Sequence, residues 1–140
     1  MMLPENFEIK FSGPCVDDFV TLRRKVGWHS SDKETVQISL TNSLFHVAIY
    51  SDIQLIAMGR IIGDGAMYFY IQDVVVDPDY QGMGLGSVVM ESIEEHLSKT
   101  AKKGATIGLL SAKGKEEFYA RYAYLQRPSS SLGSGMCKYI

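Results

Sequence analysis

Three glycines at alternate positions stand between a valine-rich segment and a helical pattern, and this order suits the binding of an anion. The first amides of a helix have no partner within it and lie at the positive end of its dipole. Glycines leave such amides accessible to a phosphate, although they could also serve only a tight turn. The spacing favours a pyrophosphate site. Its predicted residues are Gln81, Gly82, Met83, Gly84, Leu85, Gly86 and Ser87.

The glycine spacing separates the known classes of pyrophosphate loop. A nucleoside-triphosphate loop ends in Gly-Lys followed by Ser or Thr, and no lysine follows Gly82, Gly84 or Gly86. The dinucleotide fingerprint requires its third glycine three positions after the second, where this chain has Ser87. Both classes fit the sequence poorly, which leaves a loop of another kind.

Hydrophobic periodicity predicts the elements that position this loop. Segments with alternating or continuous apolar residues indicate strands, whereas Leu85, Val89, Ile93 and Leu97 share one face of a helix. Predicted strands cover 7–11, 44–50, 55–62, 67–76, 106–110 and 136–140, and predicted helices cover 17–26, 31–42, 85–103 and 116–122. The helix between 67–76 and 106–110 makes those two strands parallel neighbours, which we expect at the centre of the sheet. The fold class is α/β with a mixed sheet.

The loop and the element order resemble those of GNAT-superfamily N-acetyltransferases. The resemblance rests on Gln81-Gly82-Met83-Gly84-Leu85-Gly86, on the lead-in Asp77-Pro78-Asp79-Tyr80, and on the order β-α-α-β-β-β-α-β-α-β. It implies the acyl-coenzyme A N-acyltransferase fold, in which two central parallel strands splay apart and admit pantetheine. It also implies acetyl-coenzyme A as co-substrate, with no metal. The backbone of Val74, Val75 and Val76 would then pair with the pantetheine amides.

A second motif, from Phe118 to Tyr124, also resembles the family. In many GNAT enzymes the corresponding tyrosine protonates the departing thiolate, and Tyr119 occupies that position. A phenol of pKa about 10 can donate to a thiolate whose conjugate acid has a pKa of about 8.5. Tyr119 could instead be only a packing residue on a short amphipathic helix. The chain departs from the family pattern at Ala112, at Lys115 and at Ala123-Tyr124.

The general base and the acceptor pocket are less well specified. Asp73 precedes Val74 and is the first candidate for the base, although it could equally pair with Arg60, and water could suffice. By resemblance, Trp28, His29, Tyr68 and Tyr70 surround the acceptor cleft, and their rings could hold a cationic amine or simply pack. Lys113 or Lys115 could reach a phosphate or lie in solvent. The acceptor is an amine of a small molecule or of a protein.

Composition excludes several other classes of protein. The chain of 140 residues suits one domain, 1–140, and its net charge of −2 with interspersed signs argues against binding to nucleic acid or to a membrane. No secretion signal or membrane-length apolar run is present, so we expect a cytoplasmic protein. Cys15 and Cys137 lack metal-ligand spacing, and reduced thiols are expected. Association into a homodimer stays open.

Two function classes follow from these residues. The first is an N-acetyltransferase that moves the acetyl group from acetyl-coenzyme A to a primary amine within a ternary complex. The second is a catalytically impaired sensor or interaction module that binds acyl-coenzyme A without chemistry. Release of free thiol in the presence of amines distinguishes the two classes.

Overall fold

The computed structural model describes residues 3–140; Met1 and Met2, the start of the predicted domain, lie outside the described residues. The elements are β1 (Phe7–Lys10), α1 (Val16–Lys25), α2 (Lys33–Thr41), β2 (Phe45–Ser51), β3 (Gln54–Gly63), β4 (Tyr68–Val76), a 3₁₀ turn (Pro78–Tyr80), α3 (Leu85–Thr100), β5 (Thr106–Leu109) and α4 (Glu116–Ala120). Each observed boundary up to α4 lies within a few residues of its predicted position.

The strands form one mixed sheet in the order β1-β2-β3-β4-β5. Neighbouring strands are antiparallel except β4 and β5, which are parallel and are joined by α3. This arrangement confirms the predicted mixed α/β fold class. It also confirms the parallel pair expected from the helical crossover.

The predicted strand at 136–140 is wrong, and this error displaces the parallel pair from the centre of the sheet. No strand follows α4 in the part of the chain that the structure describes, so β5 is an edge strand. Met136 and Tyr139 are 92% and 88% exposed, and the segment before them is rich in serine and glycine. An apolar alternation forms a strand only where one of its faces can be buried, and here neither face is.

Each face of the sheet carries its own apolar core. On one face α3 packs with Leu85, Val89, Ile93 and Leu97, which are fully buried as predicted. On the other face α1 and α2 pack against the sheet, and their buried residues are Phe19, Leu22, Val36 and Leu40. A methyl group on Gly59 in β3 would lie 2.6 Å from Cγ1 of Val89, so this glycine permits the close approach of α3.

A β-bulge interrupts β4 at Asp73. Met58 pairs with Val75 and Arg60 pairs with Gln72, so Gly59 alone lies opposite Asp73 and Val74. Asp73 has a φ of +58°, a left-handed conformation that is uncommon for a residue other than glycine. The extra residue reverses the alternation of side chains, which brings Val74 to the α3 face.

The same region is where the two parallel strands separate. Their pairing ends at Ile71 and Leu109, whereas β4 continues to Val76. Within residues 3–140, the last residues of β4 therefore have no partner strand on their β5 side, and a cleft opens there. This geometry agrees with the splayed parallel strands that the resemblance implies.

Candidate functional site

A cleft of about 520 Å³ opens between the end of β4, the start of α3 and α4. Its walls bring together most of the residues predicted to bind the cofactor. The lining residues are Val26, Trp28, Val74, Val75, Val76, Gln81, Gly82, Gly84, Leu85, Gly86, Ser87, Ala112, Lys115, Phe118 and Tyr119.

The glycine loop presents backbone amides to this cleft. Gly82 and Gly84 have φ angles of +82° and +80°, which glycine adopts without strain. Gly84 is the N-cap residue of α3 and, having no side chain, makes no cap hydrogen bond. The bond from the Val88 amide to the Gly84 carbonyl, at 3.2 Å, begins the helical pattern. The amides of Leu85, Gly86 and Ser87 precede that bond and are suited to an anion.

Gly86 serves a second purpose, which is packing. A methyl group at this position would lie 3.5 Å from Cζ of Phe118 and 3.9 Å from Cγ2 of Val76. The glycine therefore stands where α3, α4 and the end of β4 meet. Three alternate glycines thus combine two left-handed backbone positions with one contact position.

Asp77 anchors the chain where β4 leads into the loop. Its Oδ2 lies 2.7 Å from Nζ of Lys25 and accepts from Nε2 of Gln54 at 3.3 Å, and its Oδ1 accepts from the Asp79 amide at 2.9 Å. Burial alone would raise the pKa of Asp77, but the Lys25 and Asp79 donors together outweigh burial and hold the pKa below its ordinary value. The loop therefore starts from an ionised, fixed side chain.

Tyr119 and Phe118 form the α4 wall of the cleft. Their rings meet edge to face with centroids 5.0 Å apart, and Tyr119 is half-buried. Burial raises the pKa of Tyr119 above its ordinary value. The phenol is therefore protonated throughout the neutral range, which is the form that can donate a proton.

Asp73 takes the ion-paired arrangement that the sequence left open beside the base role. Its carboxylate is 3% exposed and accepts from Nε of Arg60 at 2.9 Å and from Nη1 of Arg23. Asp73 is not among the residues that line the cleft, although Val74 is. Both oxygens of this carboxylate are engaged by guanidinium groups.

The acceptor-side predictions divide into two groups. Trp28 lines the cleft, whereas His29, Tyr68 and Tyr70 are not among its lining residues. Met83, which was predicted to bind the cofactor, is not among the lining residues either. His29 and Tyr68 are exposed to solvent. Tyr70 is half-buried, and burial raises its pKa. Tyr68 and Tyr70 lie in the part of β4 that still pairs with β5, whereas the cleft opens beyond Ile71, where that pairing ends.

The sequence did not predict several of the lining residues as site residues. In the sequence, Val26 and Phe118 have the pattern of core residues, and Ala112 is a departure from the family pattern. The sequence allows Lys115 either to reach a phosphate or to lie in solvent, and in the structure Lys115 lines the cleft. Its position directly before α4 is the sequence feature that points to the cleft.

Residues 3–140 hold neither a helix suited to cross a membrane nor a group of metal ligands. No helix in that range combines the length and the apolar character needed to cross a bilayer. Within the same residues, no three His, Cys, Asp or Glu side chains gather closely enough to hold a metal ion.

Comparison with known proteins identifies the family. Residues 23–136 match the model of the acetyltransferase (GNAT) domain. Uncharacterized N-acetyltransferase ycf52 of Porphyra purpurea is 30% identical over 112 residues, which is 77% of this chain and 63% of that protein. GCN5-related N-acetyltransferase 1, chloroplastic, of Arabidopsis thaliana is 31% identical over 123 residues, which is 86% of this chain and 61% of that protein.

A solved structure agrees with these relatives. The Staphylococcus aureus protein SA2161, a protein of unknown function described as a probable acetyltransferase, has a TM-score of 0.86 and 30% identity, covering 95% of this chain and 99% of its own. This chain spans only about three fifths of the length of the two curated relatives. The match of the family model over most of the sequence, together with the fold, shows that the chain belongs to the GNAT acetyltransferase family.

Proposed function

We propose that this protein transfers the acetyl group of acetyl-coenzyme A to a primary amine, directly and within a ternary complex. The observation that carries the proposal is one continuous cleft that joins the free amides at the start of α3 to the splayed end of β4. A pyrophosphate and an extended amide-containing arm require these two surfaces side by side. Coenzyme A carries both groups.

The cofactor would lie along the backbone of the cleft. Its pyrophosphate would bind the amides between Gln81 and Ser87, and Lys115 would add a positive charge nearby. Its pantetheine arm would pair with the N–H and C=O groups of Val74, Val75 and Val76. An N–H of this strand near the thioester would stabilise the negative charge that develops on the carbonyl oxygen.

Tyr119 would act as the general acid. The amine nitrogen attacks the thioester carbonyl carbon, the new C–N bond forms, and the C–S bond breaks with its electrons on sulfur. The sulfur then takes the phenolic proton of Tyr119. This phenol is protonated at neutral pH, because the ordinary pKa of tyrosine is about 10 and burial raises the pKa of Tyr119 further. Bulk solvent returns a proton to the phenolate through the open cleft.

Removal of the amine proton is assigned to water. Asp73, the first candidate for this role in the sequence, has both carboxylate oxygens engaged by Arg23 and Arg60. A base must lie within hydrogen-bond reach of the proton that it accepts, directly or through one water. Asp73 is held away from the cleft lining, so we propose that it does not meet the amine.

The acceptor class is proposed only as a primary amine of a small molecule or of a protein. Trp28 is the aromatic residue that lines the cleft on the acceptor side, and its ring could contact a cationic amine. The cytoplasmic location expected from the sequence stays a prediction, and so do the single domain and the oligomeric state. The word chloroplastic in the name of the Arabidopsis relative describes that protein.

The test measures binding and chemistry separately. Titration calorimetry with coenzyme A should show binding, and a thiol-trapping dye should report free coenzyme A when acetyl-coenzyme A and a panel of amines are added. Tight binding without thiol release across the panel would favour the non-enzymatic sensor. Better thermal protection by ATP or NAD than by coenzyme A would overturn the cofactor assignment.

A further inference from the structure

We propose that Arg23, Asp73 and Arg60 form a positioning network that fixes both walls of the cleft, and that Asp73 acts through Arg23 rather than on the acceptor. The proposal concerns the buried ion pairs at the bulge of β4. It rests on the proposed function only for its kinetic consequences, because the structural consequences can be measured without any substrate.

The first half of the network holds the bulge. Asp73 sits in a left-handed backbone conformation that costs an ordinary residue conformational energy, so its surroundings must maintain it. Nε of Arg60 donates to its carboxylate at 2.9 Å. Nη1 of Arg60 also donates to the Ser39 carbonyl and to the hydroxyls of Ser39 and Ser43, each at 3.0 Å. The bulge is thereby tied through β3 to the end of α2.

The second half of the network reaches the acceptor-side loop. Arg23 extends from α1 to Asp73, donates from Nη2 to the His29 carbonyl at 2.6 Å, and donates from Nε to Oγ of Ser30 at 3.0 Å. Its guanidinium carbon also lies 5.4 Å from the centre of the Trp28 ring. One side chain therefore holds the backbone and the ring of the loop that carries Trp28.

These two halves meet at one carboxylate. Val74 belongs to the bulge and lines one wall of the cleft, and Trp28 lines another. The Asp73 carboxylate bridges two guanidinium groups, and each guanidinium fixes a different element. Removal of the carboxylate would leave two like charges close together in a mostly buried place, so both walls would be affected at once.

A carboxylate general base would be arranged differently. It needs an oxygen free to face the cleft, whereas both oxygens of Asp73 accept from arginine. A third donor, Nε2 of Gln72, lies 3.3 Å from Oδ1. These three donors give both oxygens of Asp73 hydrogen-bond partners within the protein, which explains why a carboxylate is buried at the bulge.

The single tryptophan of the chain provides a direct readout, because Trp28 is also the residue that the network positions. We would measure acrylamide quenching of its fluorescence in Arg23→Gln, Arg23→Lys and Asp73→Asn, with circular dichroism to verify folding. We expect quenching to rise about twofold in all three variants, because lysine cannot bridge the contacts of Arg23 simultaneously. Asp73→Asn is the decisive variant, because Arg23 contacts both the Asp73 carboxylate and the Trp28 ring.

Arg24→Gln is the matched control. It removes the same charge from the next position of α1, where the side chain is exposed, and should leave quenching unchanged. If Asp73→Asn fails to fold, Ser30→Ala keeps the ion pairs intact and removes one contact of Arg23, and a smaller rise in quenching is expected. Unchanged quenching in both Asp73→Asn and Arg23→Lys would overturn the proposal.

Kinetics distinguishes a positioning role from a base. We expect Arg23→Gln and Asp73→Asn each to lower kcat/KM for the amine by about 10-fold to 100-fold, and the double variant to lose no more than the worse single variant. In Asp73→Asn, kcat/KM for the amine should still fall as the pH is lowered. If that fall at low pH disappears while Trp28 quenching is unchanged, Asp73 is the base. Absence of turnover in the unmodified protein would refute the proposed function and leave the quenching result intact.

Discussion

The hydroxyl of Tyr124 donates a hydrogen bond of 2.6 Å to Oε1 of Glu94, which fastens the segment after α4 to the middle of α3. This bond joins the segments that form two walls of the cleft, because α4 carries Tyr119 on one wall and α3 begins at the glycine loop. Burial first, and then the bond to Glu94, raise the pKa of Tyr124 far above its ordinary value. The phenol therefore favours the protonated, donating form in the folded protein.

Tyr124→Phe should lower the free energy of unfolding by about 1 to 2 kcal/mol at pH 7, because the bond to a charged acceptor is lost at a half-buried place. A raised folded pKa means that this contribution is complete below pH of about 10, the unfolded tyrosine value, and is lost as pH rises above it. Urea unfolding at pH 7 and at high pH measures both effects. Tyr68→Phe, at an exposed position, is the control, and equal stability of both variants would contradict the prediction.

Ala123 adopts a φ of +68°, and this position is where the sequence departs from the glycine of the family motif. Glycine adopts the left-handed region freely, whereas alanine loses about 1 kcal/mol there, partly offset by the greater unfolded-state freedom of glycine. Ala123→Gly should therefore raise the free energy of unfolding by up to about 1 kcal/mol. Ala120→Gly, inside α4, should lower it by about 0.5 to 1 kcal/mol. Thermal unfolding of the two variants decides the sign.

Local patterns predicted most of the fold because they report local causes. The helical spacing of Leu85, Val89, Ile93 and Leu97 predicts α3. The sequence offers Ser31 or Asp32 as the cap of α2, and in the structure the side chain of Asp32 caps that helix. The helical crossover determined the parallel pair. The turn at the glycine loop follows from the sequence because the residues that form it are neighbours in the chain.

Contacts distant in sequence were not predictable in the same way. Arg23 lies 50 residues from Asp73 in the sequence. No local pattern predicts this ion pair or the bulge at Asp73. Tyr68 and Tyr70 stay predictions as acceptor residues; they lie where β4 still pairs with β5, and no local pattern shows where that pairing ends. The prediction of a final strand is wrong because an alternating sequence does not specify a partner strand, and residues 136–140 have no partner strand within the described sheet.

Gly82→Ala should weaken coenzyme A binding more than it weakens the fold. The backbone at Gly82 has a φ of +82° and no atom of residues 3–140 outside its chain neighbours lies within 4 Å of the added methyl group, so the strain is about 1 kcal/mol and the methyl group extends from the cleft lining into open space. We expect a loss of coenzyme A affinity of about tenfold or more by calorimetry.

Gly104→Ala is the matched control for the loop variant. Its φ of +98° imposes a similar backbone penalty, and no atom lies within 4 Å of the added methyl group. Gly104 follows the opposite end of α3 and is not among the residues that line the cleft. The two variants should unfold at similar temperatures while only Gly82→Ala loses affinity. Equal affinity in both variants would refute the loop as the pyrophosphate site.

Tyr119→Phe tests the chemistry without changing the volume of the cleft wall. General acids contribute about 10²-fold to 10⁴-fold, so kcat should fall by about 10²-fold while coenzyme A affinity stays the same. Because burial raises the pKa of Tyr119, kcat of the unmodified protein should not decline with rising pH until the ordinary tyrosine value of about 10 is passed. Tyr122→Phe removes a hydroxyl from the ring beside Phe118, outside the cleft lining, and should keep kcat. Full turnover in Tyr119→Phe would show that the thiolate leaves without a proton from this residue.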